Sequence, residues 1–387
     1  MRFRVGLREF NLHPDAMKVK WYVAMLAVLL ASWILADTNA LPPGLYAEVT
    51  TPRGVVIGEL YYHKAPLTVA NFVGLAEGTL GPEPRHPFFD GLKFHRVVPG
   101  FVAQGGDPTG TGDGGPGYAF PDEMVVGLRH DSIGVMQMAN DGPDTNGSQW
   151  CFMLGAAPRL NYLHNVFGHV VRGLEVLPQL QVGDTMQVRI RRIGVDAIHF
   201  RTDFATFQKL VAKARPYKGP KEPGPTAYFD DPDKLLPTEP PRARNFNFKL
   251  ANFQRFTGQR IVARLYAKTP AETNGENLGA FTKDLARQVG VEKSGALVLY
   301  LADRQEWRIW VGDKTINAFL GKGNSLSSGI DQPTLHEAKR AFFTEARSAA
   351  SAMAAAAKPA PDDRQKLKLE VDAVLDGLIQ RLEPRVR

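Results

Sequence analysis

Residues Phe94 to Asp107 read FHRVVPGFVAQGGD, and their reading decides the fold of the first half of the chain. Two short extended runs flank Pro99-Gly100, a pair that turns a chain and does not suit a strand interior. Turned there, the runs bring a fixed cation, Arg96, beside an aromatic, Phe101, and an amide, Gln104. A groove with that trio on its wall can hold a peptide. The next stretch, GGDPTGTGDGGPG, carries too many glycines to continue as a strand.

Outward from this hairpin the same alternation of short strands and turns recurs. Leu45 to Tyr62 reads as two strands around a Thr-Pro-Arg-Gly turn, rich in β-branched and aromatic residues. In APLTVANFVGLAEG the period changes: Val69, Phe72, Val73 and Leu75 share a helical face, Pro66 fits the first turn and Gly78 the end. Further strands are expected at Leu92 to Val98, Phe101 to Gln104, Ser132 to Ala139, Gln149 to Leu154, Val166 to Val171 and Met186 to Val195, with a helical run at Leu174 to Leu180. Many short strands with Gly-rich turns suit a closed antiparallel β-barrel with flanking helices, which leaves no exposed edge.

Two more blocks follow in order, MANDGPDTNGSQ from Met138 to Gln149 and LNYLHNVFGHV from Leu160 to Val170. With the first block they resemble the cyclophilin family of peptidyl-prolyl isomerases, over about Leu45 to Ala197. Three ordered motifs are far more specific than one. The resemblance implies a closed barrel and an isomerase that acts on proline-containing peptides or unfolded protein clients, with no cofactor and no metal. Carried over residue by residue, it implies catalytic roles for Arg96, Gln104 and His95. It implies a proline-ring pocket of Phe101, Val102 and Leu160 with His164 at its edge. Ala139, Asn140 and Gln149, with Gln104, match positions that hold the peptide backbone and orient the arginine.

This chain departs from the family pattern in places. Cys151 stands where the family usually has a pocket phenylalanine, and alternation in QWCFML puts it on the face of Gln149. A looser proline seat is expected. Trp150 and Phe152 point the other way, toward a core. Arg159 stands where many eukaryotic members carry a tryptophan that binds cyclosporin, so weak inhibition by that drug is expected.

At 387 residues the chain has length for two domains. Its net charge of +7 is spread without a run of Lys or Arg, so no nucleic-acid partner is implied. Residues 1–40 read as a signal peptide: lysines in Met17 to Lys20, an uncharged apolar run from Trp21 to Ala36, then small polar residues up to Ala40. Sixteen residues ahead of it suggest a start at Met17. An exported protein, in the bacterial periplasm or its equivalent, is expected; an uncleaved anchor would instead tie it to the membrane. Cys151 is the single cysteine, so stability cannot come from an intrachain disulfide.

The barrel domain is expected over 41–200, followed by a helix and Pro-rich linker over 201–242. Phe204, Phe207, Leu210 and Val211 share a face of that helix, and prolines then recur through PYKGPKEPGPTAYFDDPDKLLPTEPP. Residues 243–345 alternate helix and strand signals, as a small α/β domain does. The FDD at Phe229, FQRFTGQRIV, and an ADR to VGD strand pair resemble the TPM family of exported domains. A helical tail over 346–387 carries Leu367, Val371, Val374, Leu378 and Leu382 on one stripe. Asp230, Asp231, Asp303 and Asp313 read as turn and cap residues before they read as a cation site. Two other functions stay open: a proline-peptide binding module of low turnover, or a phosphatase or assembly factor acting through the C-terminal domain.

Overall fold

Thr51 and Gly54 close a hairpin between β1 (Gly44–Thr51) and β2 (Gly54–Leu60), the turn enforced by a left-of-centre glycine φ of 139° that a Cβ would strain. The computed structural model describes residues 41–273, 277–322 and 332–385. The signal segment expected over 1–40 lies outside them.

After α1 (Pro66–Glu77) come β3 (Arg96–Val98), β4 (Val102–Gly105), β5 (Val135–Met138), β6 (Trp150–Met153), β7 (Val166–Arg172) and β8 (Gln187–Ile193). Pro66 opens α1 and Gly78, at φ 73°, caps it in the left-handed region. The run at Leu174–Gln179 is a 3-10 helix, since Pro178 inside it has no N–H for a longer ladder. The strands form one antiparallel sheet in the order β3-β4-β6-β5-β7-β2-β1-β8. It is strongly curved but open, which corrects the closed barrel. The end strands β3 and β8 do not pair; a single bridge, Lys93 with Thr185, joins the segments ahead of them. Gly183, at φ 92°, and Asp184 turn the chain there, so Phe94 exchanges hydrogen bonds with that turn and no ladder extends.

The interior follows from alternation. Trp150 and Phe152 face a core with Phe72, Phe89, Phe94 and Phe167, with Trp150 edge-on to Phe72 at 5.3 Å and to Phe152 at 4.8 Å. Their neighbours Cys151 and Met153 face the opposite side, in a second cluster with Val102, Val135, Ala157 and Val166. That second cluster lies on the face of the sheet that Cys151 shares with its cross-strand partner Gln104.

Beyond the barrel, α2 (Val195–His199) and α3 (Phe204–Lys213) return the chain toward α1, Phe207 joining the first core. The second half holds β9 (Phe229–Asp230), α4 (Arg242–Thr257), β10 (Ile261–Tyr266), α5 (Leu278–Gln288), β11 (Ala296–Leu301), β12 (Glu306–Val311), α6 (Ile316–Phe319), α7 (Gln332–Ala356) and α8 (Asp363–Leu382). The mixed sheet runs β12-β11-β10-β9, parallel across β9, β10 and β11. Ile261, Ala263 and Leu265 face α4, α7 and α8, while Val262, Leu297 and Leu299 face Ala286 and Val291 at α5. The region is a three-layer α/β unit.

Two flanking segments pack on this unit. The Pro-rich segment is fastened to this sheet: Phe229 pairs with Ala263, and buried Arg264 donates to the carbonyls of Pro225 and Ala227 at 2.8 and 2.9 Å. Prolines forbid a helix there, yet an extended segment offers free carbonyls that a cation can gather. The tail is part of the same core, because α7 crosses position 345 without a break and α8 buries Val371, Val374, Leu378 and Leu382 against it.

Nor is the α/β unit separate from the barrel. Met124 and Tyr162, from barrel loops, belong to its core, with Tyr162 edge-on to Phe253 at 5.1 Å. Asn252 donates to Asp122 and to the Tyr162 carbonyl at 3.0 and 3.1 Å, and Glu383 accepts from Arg129, Gly127 and Tyr162. Asp231 accepts from the amides of Leu235 and Leu236, and Asp303 from Thr269, as turn caps do. Among the described residues no three His, Cys, Asp or Glu side chains converge as a metal set.

Candidate active site

Antiparallel register, set by the Pro99-Gly100 turn, makes Arg96 the direct cross-strand partner of Gln104, and Gln104 that of Cys151. Side chains at such opposed positions share a face. Arg96 Nη1 donates to Gln104 Oε1 at 3.4 Å, Gln104 Nε2 donates to Gln149 Oε1 at 2.8 Å, and Gln149 Nε2 donates to the carbonyls of Gly112 and Gly114 at 2.6 and 2.9 Å. The result is a directed relay: two carbonyls fix one amide, which fixes the next, which leaves an acceptor oxygen toward Arg96. Arg96 itself is exposed, with its remaining donors toward solvent.

The relay starts at a residue that the sequence reading did not single out. Asp107 accepts from Thr109 N, Thr109 Oγ1 and Gly112 N at 2.7, 2.8 and 2.6 Å, so the glycine loop folds around one carboxylate. Burial alone would raise this acid, but those hydrogen bonds together outweigh it and hold it at about 2. A Cβ on Gly114 would come within 1.9 Å of Asp107 Oδ1, which is why that carbonyl needs a glycine. The Asp-Pro-Thr step after Gly106 was the available signal, since Asp before a turn commonly caps it.

Beside the relay lies the apolar surface. Val102 and Cys151 are buried in its floor, and Phe101, Ala139 and Leu160 are half-buried along the rim. The Ala139 amide donates to the Gln149 carbonyl at 3.0 Å, and Asn140 Nδ2 donates to the Leu163 carbonyl at 2.8 Å, which joins the two loops that carry the rim. His164 Nδ1 lies 3.1 Å from the Met138 carbonyl; an oxygen there can only accept, so the proton sits on Nδ1. Burial, with His130 nearby, pushes His164 down to about 3. Thus Arg96, Gln104 and Gln149 are linked by hydrogen bonds, Phe101, Val102, Cys151, Ala139 and Leu160 share one apolar cluster, and Asn140 and His164 bond to the carbonyls of Leu163 and Met138.

His95 is set apart from the exposed guanidinium beside it. Both its ring nitrogens are buried with no hydrogen-bond partner, and burial pushes its pKa down, against the raising effect of Asp107 and with the lowering effect of Arg96. It is a desolvated ring beside the relay. Arg159 was read only as a replaced tryptophan. Its guanidinium lies over the Phe101 ring at 4.4 Å, and that of Arg96 lies at 5.6 Å from the same ring.

Two expectations arise here. Burial pushes the Cys151 thiol up to about 12, so iodoacetamide at pH 8 is expected to label native protein at least ~10²-fold more slowly than unfolded protein. Equal rates in a mass-spectrometric time course would contradict that burial. Second, His164 and Cys151 stay neutral across the middle pH range, and His95 is shifted away from it. Then kcat/KM for a proline peptide is expected to vary less than ~2-fold between about pH 6.5 and about pH 9, where a general acid or base would impose a step. A bell-shaped profile would reveal a titrating catalyst.

An open curved sheet with a cation-and-amide relay beside an apolar cluster points to a class, the peptidyl-prolyl isomerases built on this fold. Comparison with known proteins agrees. The family model described as cyclophilin type peptidyl-prolyl cis-trans isomerase/CLD matches residues 46–195. A probable peptidyl-prolyl cis-trans isomerase A of Mycobacterium bovis is 50% identical over 141 residues, 35% of this chain and 78% of that protein. The corresponding Mycobacterium leprae protein is 49% identical over 140 residues, 34% of this chain and 77% of its own. A cyclophilin type isomerase structure from Cryptosporidium parvum is 30% identical, covers 39% of this chain and 97% of its own, and has a TM-score of 0.34. The chain belongs to the cyclophilin-type peptidyl-prolyl cis-trans isomerase family, and it is an enzyme of that activity.

Proposed function

We propose that the chain is an exported isomerase that speeds rotation about X-Pro bonds in protein clients and so assists their folding, with Arg96 as the catalytic donor. The observation that carries this is the relay from Gln149 through Gln104 to Arg96 beside the Phe101 rim. Rotation is slow because amide resonance raises a barrier of ~18–20 kcal/mol. As the bond twists, the nitrogen recovers a localised lone pair. A donor already aimed at that atom stabilises the twisted amide more than the planar one, and only such a difference accelerates the step.

Each residue then has one task. Phe101, Val102 and Leu160 seat the proline ring, with Cys151 in the floor and His164 at the edge. Ala139, Asn140 and Gln149 hold the peptide backbone, while Gln104 orients the arginine. His95 lies next to Arg96, within the catalytic set that the resemblance implies. No bond is made or broken, so no proton needs to move.

Export is supported by the composition of Met17 to Ala40. For the C-terminal unit we infer a TPM-like identity, supported by the FDD at β9 and the ADR turn between β11 and β12. The test of the whole reading is proline-limited refolding of a client protein by the purified chain, with fractionation of cells that make it. No acceleration of the slow phase rejects the folding role; recovery only from the cytosol rejects export.

A further inference from the structure

Arg96 and Arg159 approach the same ring. Among the described residues no carboxylate lies within ion-pair distance of either guanidinium, and Arg159 makes no side-chain hydrogen bond. Arg159 is half-buried, so its missing partner is costly: a desolvated cation is stable when paired and hydrogen-bonded. The acids whose charge reaches Arg159 are paired elsewhere. Asp376 is engaged by Lys249 and Asp372 by Lys368, and Arg242 adds a further positive charge nearby. Burial lowers the pKa of Arg159, with Asp372 and Asp376 opposing and Arg242 assisting.

The backbone holds this arrangement in place. Arg159 sits on the short 3-10 turn Pro158–Leu160, whose carbonyl at 159 accepts from the buried Lys249 ammonium at 3.3 Å. That anchor comes from α4 of the C-terminal unit. The side chain therefore leans over Phe101 from a fixed base, with no side-chain partner for its forked N–H donors among the described residues.

We propose that the paired arginines at Phe101 select clients in which proline is flanked by an acidic residue, a carboxylate or a phosphorylated side chain. The inference rests on Phe101 belonging to the proline seat. A peptide whose proline occupies the floor carries its neighbouring side chains past the rim, where a carboxylate gains a forked, charge-assisted hydrogen bond and a lysine meets like charge. Phosphate fits the same fork with more charge.

The test is kcat/KM for peptides that differ only beside proline: alanine, glutamate, lysine or phosphoserine before it, and glutamate or lysine after it. Glutamate is expected to exceed lysine by ~10-fold on at least one side at low salt, with the ratio shrinking as salt rises. Phosphoserine above glutamate identifies phosphorylated clients as the preferred source; glutamate equal or higher identifies plain acidic sequence. Arg159→Gln should bring the glutamate to lysine ratio below ~3, and Arg159→Lys should restore part of it. A ratio near one in the unaltered chain, with the alanine peptide turned over well, overturns the selection and leaves the groove standing. Loss of turnover on every peptide overturns the groove and the selection together.

Discussion

Replacing Arg96 by alanine is expected to lower kcat/KM for a proline peptide by ~10² to 10³-fold, the usual effect of removing one preoriented donor to a transition state. Its origin is geometric. The guanidinium stands at the end of a hydrogen-bond relay that begins at the Asp107-bound loop, so its orientation is fixed before substrate arrives. Alanine removes the donor and leaves Gln104 held by Gln149, so the floor survives. Because Arg96 is exposed, the change in stability should stay within ~0.5 kcal/mol. Arg96→Lys keeps a charge on a flexible stem but loses the fork, and should recover only part of the rate. Protease-coupled kinetics with a matched melting curve measure both. A loss below ~5-fold in a well-folded alanine variant would remove Arg96 from the chemistry.

A second large effect is expected at Arg255→Leu, where stability should fall by ~3–5 kcal/mol, the range for breaking a buried ion pair from one side. Arg255 is 8% exposed; it donates to Asp144 at 2.8 Å and lies 3.6 Å from Asp122, whose side chain is fully buried. Burial is the main influence that lifts Asp122 to about 6, with hydrogen bonds from Asn146 and Asn252 and the Arg255 charge pulling the other way. Without Arg255 its folded pKa rises further. A carboxyl with a raised folded pKa costs stability as pH climbs through its unfolded value toward the folded one, and the cost is complete above that. The loss should therefore be smaller at about pH 5 than at about pH 8. Urea midpoints at the two pH values decide it; equal losses would mean that Asp122 is not the group left uncompensated.

That second prediction bears on why the two halves of the chain are joined. Asp144 also accepts from the Tyr217 amide at 2.6 Å, and it sits in the loop that carries Ala139 and Asn140. Lys249 and Asn252 grip the segment that carries Arg159, Leu160 and His164. One face of α4 thus holds both rim loops of the active site. The C-terminal unit bonds to both loops.

Much of this molecule is legible along the chain because it depends on neighbours in sequence. The Pro99-Gly100 turn dictates the register that opposes Arg96 to Gln104, and alternation alone sends Trp150 inward and Cys151 toward the groove. Helix α1 is written in its period and its caps. What sequence could not yield is what depends on distant segments meeting. Whether the strand ends close is decided by the turn at Gly183-Asp184, which interrupts pairing between β3 and β8. Fastening of the Pro-rich segment is decided by the buried Arg264, and the second cation over Phe101 by the docking of Lys249 under Arg159. Local pattern is set by the steric preferences of each residue and the next few. Tertiary contacts are set by which unpaired charges and carbonyls find one another after the sheets have curved, and no spacing along the chain encodes that distance.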